Sequence, residues 1–458
     1  MKYKSYTLNN LREIPQISKL TKEQLFDIEV VGRVLPFKTN NYVVNELIDW
    51  QNFQNDPMFI LNFPQKGMLI PEHYKTVSNL LKNSASPKAI AKATKEIRLQ
   101  LNPQPDGQSN NVPIFKGEKL LGVQHKYRET ILFFPTQGQT CHSYCTFCFR
   151  WPQFTESNNL KFADSRIQRL IEYLKQHTSI TDIIFTGGDP MIMSTKILER
   201  YINLLLEADL PNLKTIRIGT KSLSYWPYRF TKDNDSENLL RLFEKINNSG
   251  KHLTIMAHIN HYKELETQEV QKAIKNIQNT GSIIRSQSPL LKHINDKPEI
   301  WQKMWRQQVN LGIIPYYMFI ARDTGAQHYF AVPLVKSLEI FKDAYSRVSG
   351  ICRTVRGPSM STNPGKILIN GVSEINGEKV IVLNFLQGRN PDWVNKPFFA
   401  KYDDKAIWLS DLEPAFDKKE FFYEQSLFFD NKIDLLENNL SSKKYCCKKI
   451  EKNETNFN

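Results

Sequence analysis

The chain has 458 residues, 40% hydrophobic and 24% charged, a composition that can bury a substantial core. Its 61 lysines and arginines against 47 acids give a net charge of +14. Six cysteines, three of them clustered, do not make a disulfide framework. No apolar run reaches the roughly 20 residues a spanning helix needs, and MKYKSYTLNN lacks the apolar core of a secretion signal. A disulfide scaffold and a helical membrane protein are thereby excluded, and a cytoplasmic location is expected.

Residues 1–128 read as a mostly helical region, with helical composition from Leu20 to Val31 and from Ser84 to Leu99 and proline-punctuated pieces between. From 129 the pattern changes. Strand-like runs at Thr130–Pro135, Asp182–Thr186, Thr215–Gly219, Leu253–His258, Ile283–Ser286 and Ile313–Ile320 alternate with helix-like segments near 164–176, 195–208, 238–249, 267–279 and 297–310. That alternation predicts an α/β fold, a partial (β/α)6 barrel over 129–330, with chemistry gathered at the C-terminal strand ends. Residues 331–430 form a C-terminal β extension: a helix near 333–346, a loop from Cys352 to Gly365, β-like runs at Lys366–Ile369 and Val380–Phe385, and the aromatic-rich segment Asp392–Phe416. The basic tail 431–458 is Asn/Lys-rich and is expected to be disordered.

Directly after the first barrel strand stand Cys141, Cys145 and Cys148, in C-x3-C-x2-C spacing. Three thiolates on one short loop can hold three irons of a [4Fe–4S] cluster and leave the fourth iron free. This is the spacing of radical S-adenosylmethionine (SAM) enzymes, in which the open iron chelates the amino and carboxylate groups of SAM. Zinc is the bland alternative, but it needs a second knuckle or spaced histidines. Cys352 stands alone, Cys446 and Cys447 are adjacent in the tail, and His142 completes no pattern, so no structural zinc is expected.

Gly187-Gly188-Asp189 follows the second strand, where glycines free the backbone to approach a ligand. His258 ends the fourth strand and Gln287 the fifth. Each alone is more often structural; together, at strand ends of one barrel, they mark a site. Lys366 follows Pro364-Gly365 at the head of an apolar run. A surface lysine is the ordinary reading, whereas a desolvated one can form a Schiff base.

With these residues in place, the chain resembles the lysine 2,3-aminomutase family of radical SAM, pyridoxal 5'-phosphate (PLP) enzymes. The likeness runs from about residue 30 to 385 and includes Asn55-Asp56-Pro57, Asp106-Gly107-Gln108-Ser109, His125 to Arg128, Arg217-Ile218-Gly219, His258 to His261, Asn295-Asp296, Pro315-Tyr316-Tyr317 and Lys366. The resemblance implies that Cys141, Cys145 and Cys148 bind the cluster, and that Gly187, Gly188 and Asp189 flank SAM. His258 and Gln287 join the cofactor site. Lys366 forms the PLP aldimine, with Lys126, Tyr127 and Arg128 near the phosphate. Arg150 grips the substrate α-carboxylate, and Asp323 meets its side chain. A 5'-deoxyadenosyl radical would then take hydrogen from Cβ, and the amino nitrogen would migrate from C2 to C3.

The chain also departs from the family. A PGGGGK stretch is replaced by Met360 to Lys366, and Ser359 occupies the place of a second aspartate that holds the lysine ammonium. Arg322, Arg353 and Arg356 stand nearby and suit an acidic or neutral polar side chain. Two other readings stay open at this point: a PLP-independent radical SAM enzyme acting on a peptide, protein or tRNA, and a non-catalytic Fe–S or zinc nucleic-acid-binding protein. Lysine and arginine are scattered rather than patched, so nucleic acid is not expected. Expected partners are an amino-acid substrate, an acidic electron donor of the flavodoxin or ferredoxin kind, and a second copy of the chain as a homo-oligomer.

Overall fold

A computed structural model describes residues 2–103, 110–155 and 163–427. The Asp106 to Ser109 stretch and the basic tail lie outside the described residues.

The N-terminal region contains α1 (Lys22–Val34), α2 (Pro57–Asn62), α3 (Pro71–Lys82) and α4 (Pro87–Gln100). Local chemistry fixes their starts. Thr21 and Gln24 form a capping box at α1, Asp56 caps α2, and Ser86 caps α4, with proline opening the last three helices.

One eleven-stranded sheet organises the rest. It runs in chain order through β1 (Val123–Tyr127), β2 (Thr130–Phe133), β3 (Asp182–Phe185), β4 (Thr215–Thr220), β5 (His252–His258), β6 (Ile283–Leu290), β7 (Ile314–Ile320), β8 (Arg356–Ser361), β9 (Gly365–Ile375), β10 (Glu378–Gly388) and β11 (Pro397–Lys401). Strands β2 to β8 are parallel. Crossovers from β2 to β7 carry α5 (Ile167–Gln176), α6 (Thr195–Glu207), α7 (Ser236–Asn248), α8 (Gln268–Asn279) and α9 (Pro298–Asn310), and α10 (Leu334–Ser346) precedes β8. Among the described residues no ladder joins β1 to β11, so the sheet is an open arc.

The period-2 alternation of strands decides what faces where. Ile183 and Phe185 on β3, and Ile216 and Ile218 on β4, are completely buried. Their neighbours Ile184, Arg217 and Gly219 line one central cavity instead. A single apolar cluster extends from Tyr6 to Val355, so the N-terminal helices share the core of the parallel strands. A second cluster gathers Ile320, Ile367, Phe385, Trp393 and Trp408 around the C-terminal hairpin.

Two expectations change. The stretch 123–127, read within the helical region, is strand β1, antiparallel to β2. The loop expected from Cys352 to Gly365 contains β8, parallel to β7 and antiparallel to β9. Its sequence, Arg-Gly-Pro-Ser-Met-Ser, has no β-branched alternation to announce a strand, and pairing on both sides supplies the order. The aromatic segment Asp392–Phe416 contributes β11, which extends the sheet on β10.

Asn295 ties two strand ends together. Its amide donates to the carbonyls of Asn260 (2.9 Å) and Pro289 (3.1 Å), and its Oδ1 accepts from the Leu291 N–H (2.7 Å), all fully buried. Asn295→Ala strands three buried groups and is expected to cost roughly 3 kcal/mol, measured by urea unfolding against the parent protein.

Candidate active site

The arc of strands encloses a cavity of about 950 Å³. That is at the upper end of small-molecule sites, roughly 300–1,000 Å³, and accommodates a nucleoside cofactor together with an amino acid. Cysteine-loop residues Phe147, Phe149 and Arg150 line it, as do His258, Gln287 and Lys366.

The cysteine loop leaves β2 and is held by almost everything except its cysteines. Ser143 Oγ donates to Asn62 Oδ1 (2.7 Å), and the Tyr144 N–H to the Lys38 carbonyl (2.8 Å). Thr146 donates through its N–H to Leu61 (3.0 Å) and through its hydroxyl to Ile60 (2.8 Å). Asn40 Nδ2 and the Tyr3 hydroxyl both reach the His142 carbonyl (3.1 and 2.9 Å), while His142 Nδ1 bonds Ser222 Oγ (2.8 Å). Burial pushes all three thiols up, Cys145 to about 12 and Cys148 to about 11. Thiolates in such a place need cationic partners, which cluster irons supply. No three His, Cys, Asp or Glu side chains among the described residues converge as ligands of a single ion; three cysteines serving three different irons need no such point.

The glycine turn after β3 abuts this loop. The Gly188 N–H donates to Gly138 O (3.1 Å), and the Asp189 N–H to Thr140 O (2.8 Å). A Cβ on Gly188 would lie 2.5 Å from the Thr140 carbonyl oxygen, so glycine is required there. Asp189, expected beside SAM, has its carboxylate occupied. It accepts from the N–H groups of Met191, Lys221 and Ser222 and from the hydroxyls of Thr220 and Ser222. Its side chain therefore positions the turn, and the backbone of Gly187 and Gly188 is what remains for a ligand.

Lys366 stands at the head of the β9–β10 hairpin, opposite Ser361 and Gln387. Its amine donates to Gln387 Oε1 (3.1 Å) and lies 4.1 Å from the Tyr317 ring centroid. Burial, and then the charges of Arg217 and Arg356, pull it down to about 7. Such an amine is substantially unprotonated at neutral pH, as a Schiff-base lysine must be. The short glycine content of this segment is explained locally. A Cβ on Gly365 would meet Gln387 O at 2.3 Å, so one glycine is demanded, and Thr362 to Pro364 make the bend that precedes it.

Lys126 lines the cavity and donates to the Thr362 carbonyl, and burial holds it well below its ordinary value. Tyr127 also lines it, its buried hydroxyl without a partner among the described residues. Arg128 does not join them. It is exposed in the β1–β2 turn, one register step away, and is not part of the lining. Arg150 is, with its guanidinium over the rings of Phe134 (4.7 Å) and Phe149 (5.0 Å) and no acceptor among the described residues. Burial lowers it to about 10. His258 stacks on Phe147, is pushed by burial down to about 3, and has an unpartnered Nε2. Gln287 faces the same space. Asp323 lies 3.4 Å from Arg322. Arg353 turns away, donating to the carbonyls of Val348 and Ser346 (both 2.9 Å).

Several site residues escape the sequence motifs. Arg285 lines the cavity two positions before Gln287 and lies in no motif, so strand periodicity alone marks it as inward. The buried ion pair of Lys221 with Glu264 beside the cysteine loop has no such signal. Its two halves come from the ends of separate strands.

The sequence model of the 4Fe-4S single cluster domain matches residues 130–220. A protein described as "Putative L-lysine 2,3-aminomutase" from Aquifex aeolicus is 30% identical over 405 residues, 88% of this chain and 95% of its own. The L-lysine 2,3-aminomutase of Methanococcus maripaludis is 23% identical, covering 84% of this chain and 79% of its own. That of Bacillus subtilis is 23% identical, covering 95% and 82%. Among solved structures, a radical SAM methyltransferase from Sphaerobacter thermophilus superposes with a TM-score of 0.37 at 15% identity, over 52% of this chain and 68% of that one.

Only the unprotonated amine of Lys366 attacks an aldehyde, so adduct formation is expected to rise with pH and be half-maximal near 7. Borohydride trapping across a pH series, with peptide mapping, measures that midpoint. Arg356→Gln removes a cation that disfavours the ammonium, and the midpoint is expected to move to higher pH.

Proposed function

The chain belongs to the lysine 2,3-aminomutase family, and on that premise we propose that it is a radical SAM amino-acid 2,3-aminomutase with Lys366 as its PLP lysine. One observation carries the reading: the cysteine loop, an unpaired guanidinium at Arg150 and a desolvated amine at Lys366 face a single cavity.

Each cofactor finds suitable groups. Cys141, Cys145 and Cys148 would hold the cluster, their raised thiols met by iron. The Gly187-Gly188 turn, packed against the cysteine loop at Gln139 and Thr140, would hold SAM through its backbone, with His258 Nε2 and Gln287 as further polar contacts. Lys126 and the unpartnered Tyr127 hydroxyl would face PLP. When bound, cluster and SAM supply hydrogen abstraction from carbon, and PLP supplies the unsaturated system across which an amino nitrogen changes carbons.

The protein's own residues then do three things. Arg150 orients the substrate by its α-carboxylate, a task that suits a planar fork held between two rings. Lys366, neutral near pH 7, accepts and releases the carbonyl carbon without first losing a proton to water. The strand-lined cavity keeps solvent from reactive carbon. The net charge of +14 favours an acidic flavodoxin or ferredoxin as the reductant.

Anaerobically reconstituted protein is expected to acquire a borohydride-stable pyridoxyl adduct on Lys366, and Lys366→Ala to acquire none there. An intact cluster without this adduct would redirect the reading to PLP-free radical SAM chemistry on a larger substrate. Arg150→Ala is expected to weaken substrate binding at least 100-fold, about 3 kcal/mol, with the adduct still forming. Absorbance titration of the bound PLP measures it.

A further inference from the structure

Seven lysines and arginines line the cavity against three acids, an excess of four basic side chains. None of the three acids is free. Asp182 is engaged by both edges of Arg217 and by the Thr130 hydroxyl. Asp323 lies against Arg322 (3.4 Å), and Glu424 accepts from the Phe421 N–H (2.8 Å) at the rim segment. Ser359, which stands where the family places a second aspartate, is fully buried, donates to the Met318 carbonyl and does not line the cavity. A substrate ammonium at the end of a side chain would meet no unpaired carboxylate among the described residues.

From the engaged acids and the open guanidinium of Arg322 we infer that the substrate is an amino acid with a carboxylate side chain, of aspartate or glutamate length, whose distal carboxylate binds Arg322. The inference rests on the aminomutase reading above. With the Lys366 amine neutral the charge excess is three, and the PLP phosphate, with about two negative charges, and the α-carboxylate, with one, offset it. A lysine side chain would then add an ammonium with no unpaired carboxylate to receive it among the described residues, whereas a side-chain carboxylate has the Arg322 guanidinium to meet.

Arg322 is placed for the task. Its guanidinium carbon lies 5.4 Å from the Phe149 ring and 5.7 Å from the Trp408 ring, which limit its rotation. Asp323 takes the Nε side, and the terminal nitrogens have no acceptor among the described residues. Arg150 approaches the same Phe149 ring at 5.0 Å. Two guanidinium groups against one ring form a receptor for two carboxylates a few ångströms apart, which is what a dicarboxylic amino acid carries.

The experiment uses the full chain, reconstituted with cluster and PLP and held without SAM so that nothing turns over. L-Glutamate, L-aspartate, L-lysine and L-norvaline are titrated against the absorbance of bound PLP. An acidic amino acid is expected to saturate at a concentration at least 100-fold below L-lysine. Arg322→Gln is expected to lose at least tenfold in affinity for the acid and to leave L-norvaline unchanged, with formation of the Lys366 adduct as the check on folding. If L-lysine binds as tightly as the acids, or if Arg322→Gln leaves the preference intact, the inference is overturned while the aminomutase reading stands. A parent protein that forms no adduct on Lys366 defeats both.

Discussion

The structure depends on the anchoring of one loop. A cluster that must bind SAM needs three thiols at fixed spacing and a fourth iron left open, so no protein group can close the cage. The chain meets this by fastening four of the five other residues of the loop. His142, Ser143, Tyr144 and Thr146 are each bonded to groups outside it, largely from Lys38 to Asn62. The N-terminal region thus belongs to the site as much as to the core. Its helices share one apolar cluster with the parallel strands, so loosening that packing would also loosen the cysteines.

A second constraint is electrostatic. Lys126, Arg150 and Lys366 are each pulled down by burial, and the cations near them add to the effect. Gathering unpaired positive groups inside a protein is costly unless anions arrive to meet them. A phosphate and one or more carboxylates are such anions. Burial first, and then the field of the same cations, lowers the Lys366 amine. Asp189 and Glu264 serve differently. Buried and fully engaged, they fix the turns at the ends of β3, β4 and β5 from which the ligands are reached.

Much of this was legible in the residues. C-x3-C-x2-C identifies the cluster because cluster ligation is a matter of local spacing. The α/β core follows from apolar runs alternating with amphipathic segments, and all six strands expected between 130 and 320 are present. Glycine at 188 and the lysine at 366 could be singled out from their immediate neighbours. Arg128 could not be judged in this way. It adjoins Lys126 and Tyr127 in sequence, but a tight turn follows and carries it to the exposed side.

The sequence by itself therefore determined what short-range chemistry controls: the cysteine spacing, the strand periods and the order of the units. The tertiary structure decided what depends on distant segments meeting. Strand β8 exists because β7 and β9 pair with it, although its own residues carry no strand signal. Lys366 is lowered by burial and by Arg217 and Arg356, which lie on two other strands. The occupation of every cavity carboxylate likewise follows only from side chains brought together by folding, since a charge has no partner in a sequence until the chain closes around it.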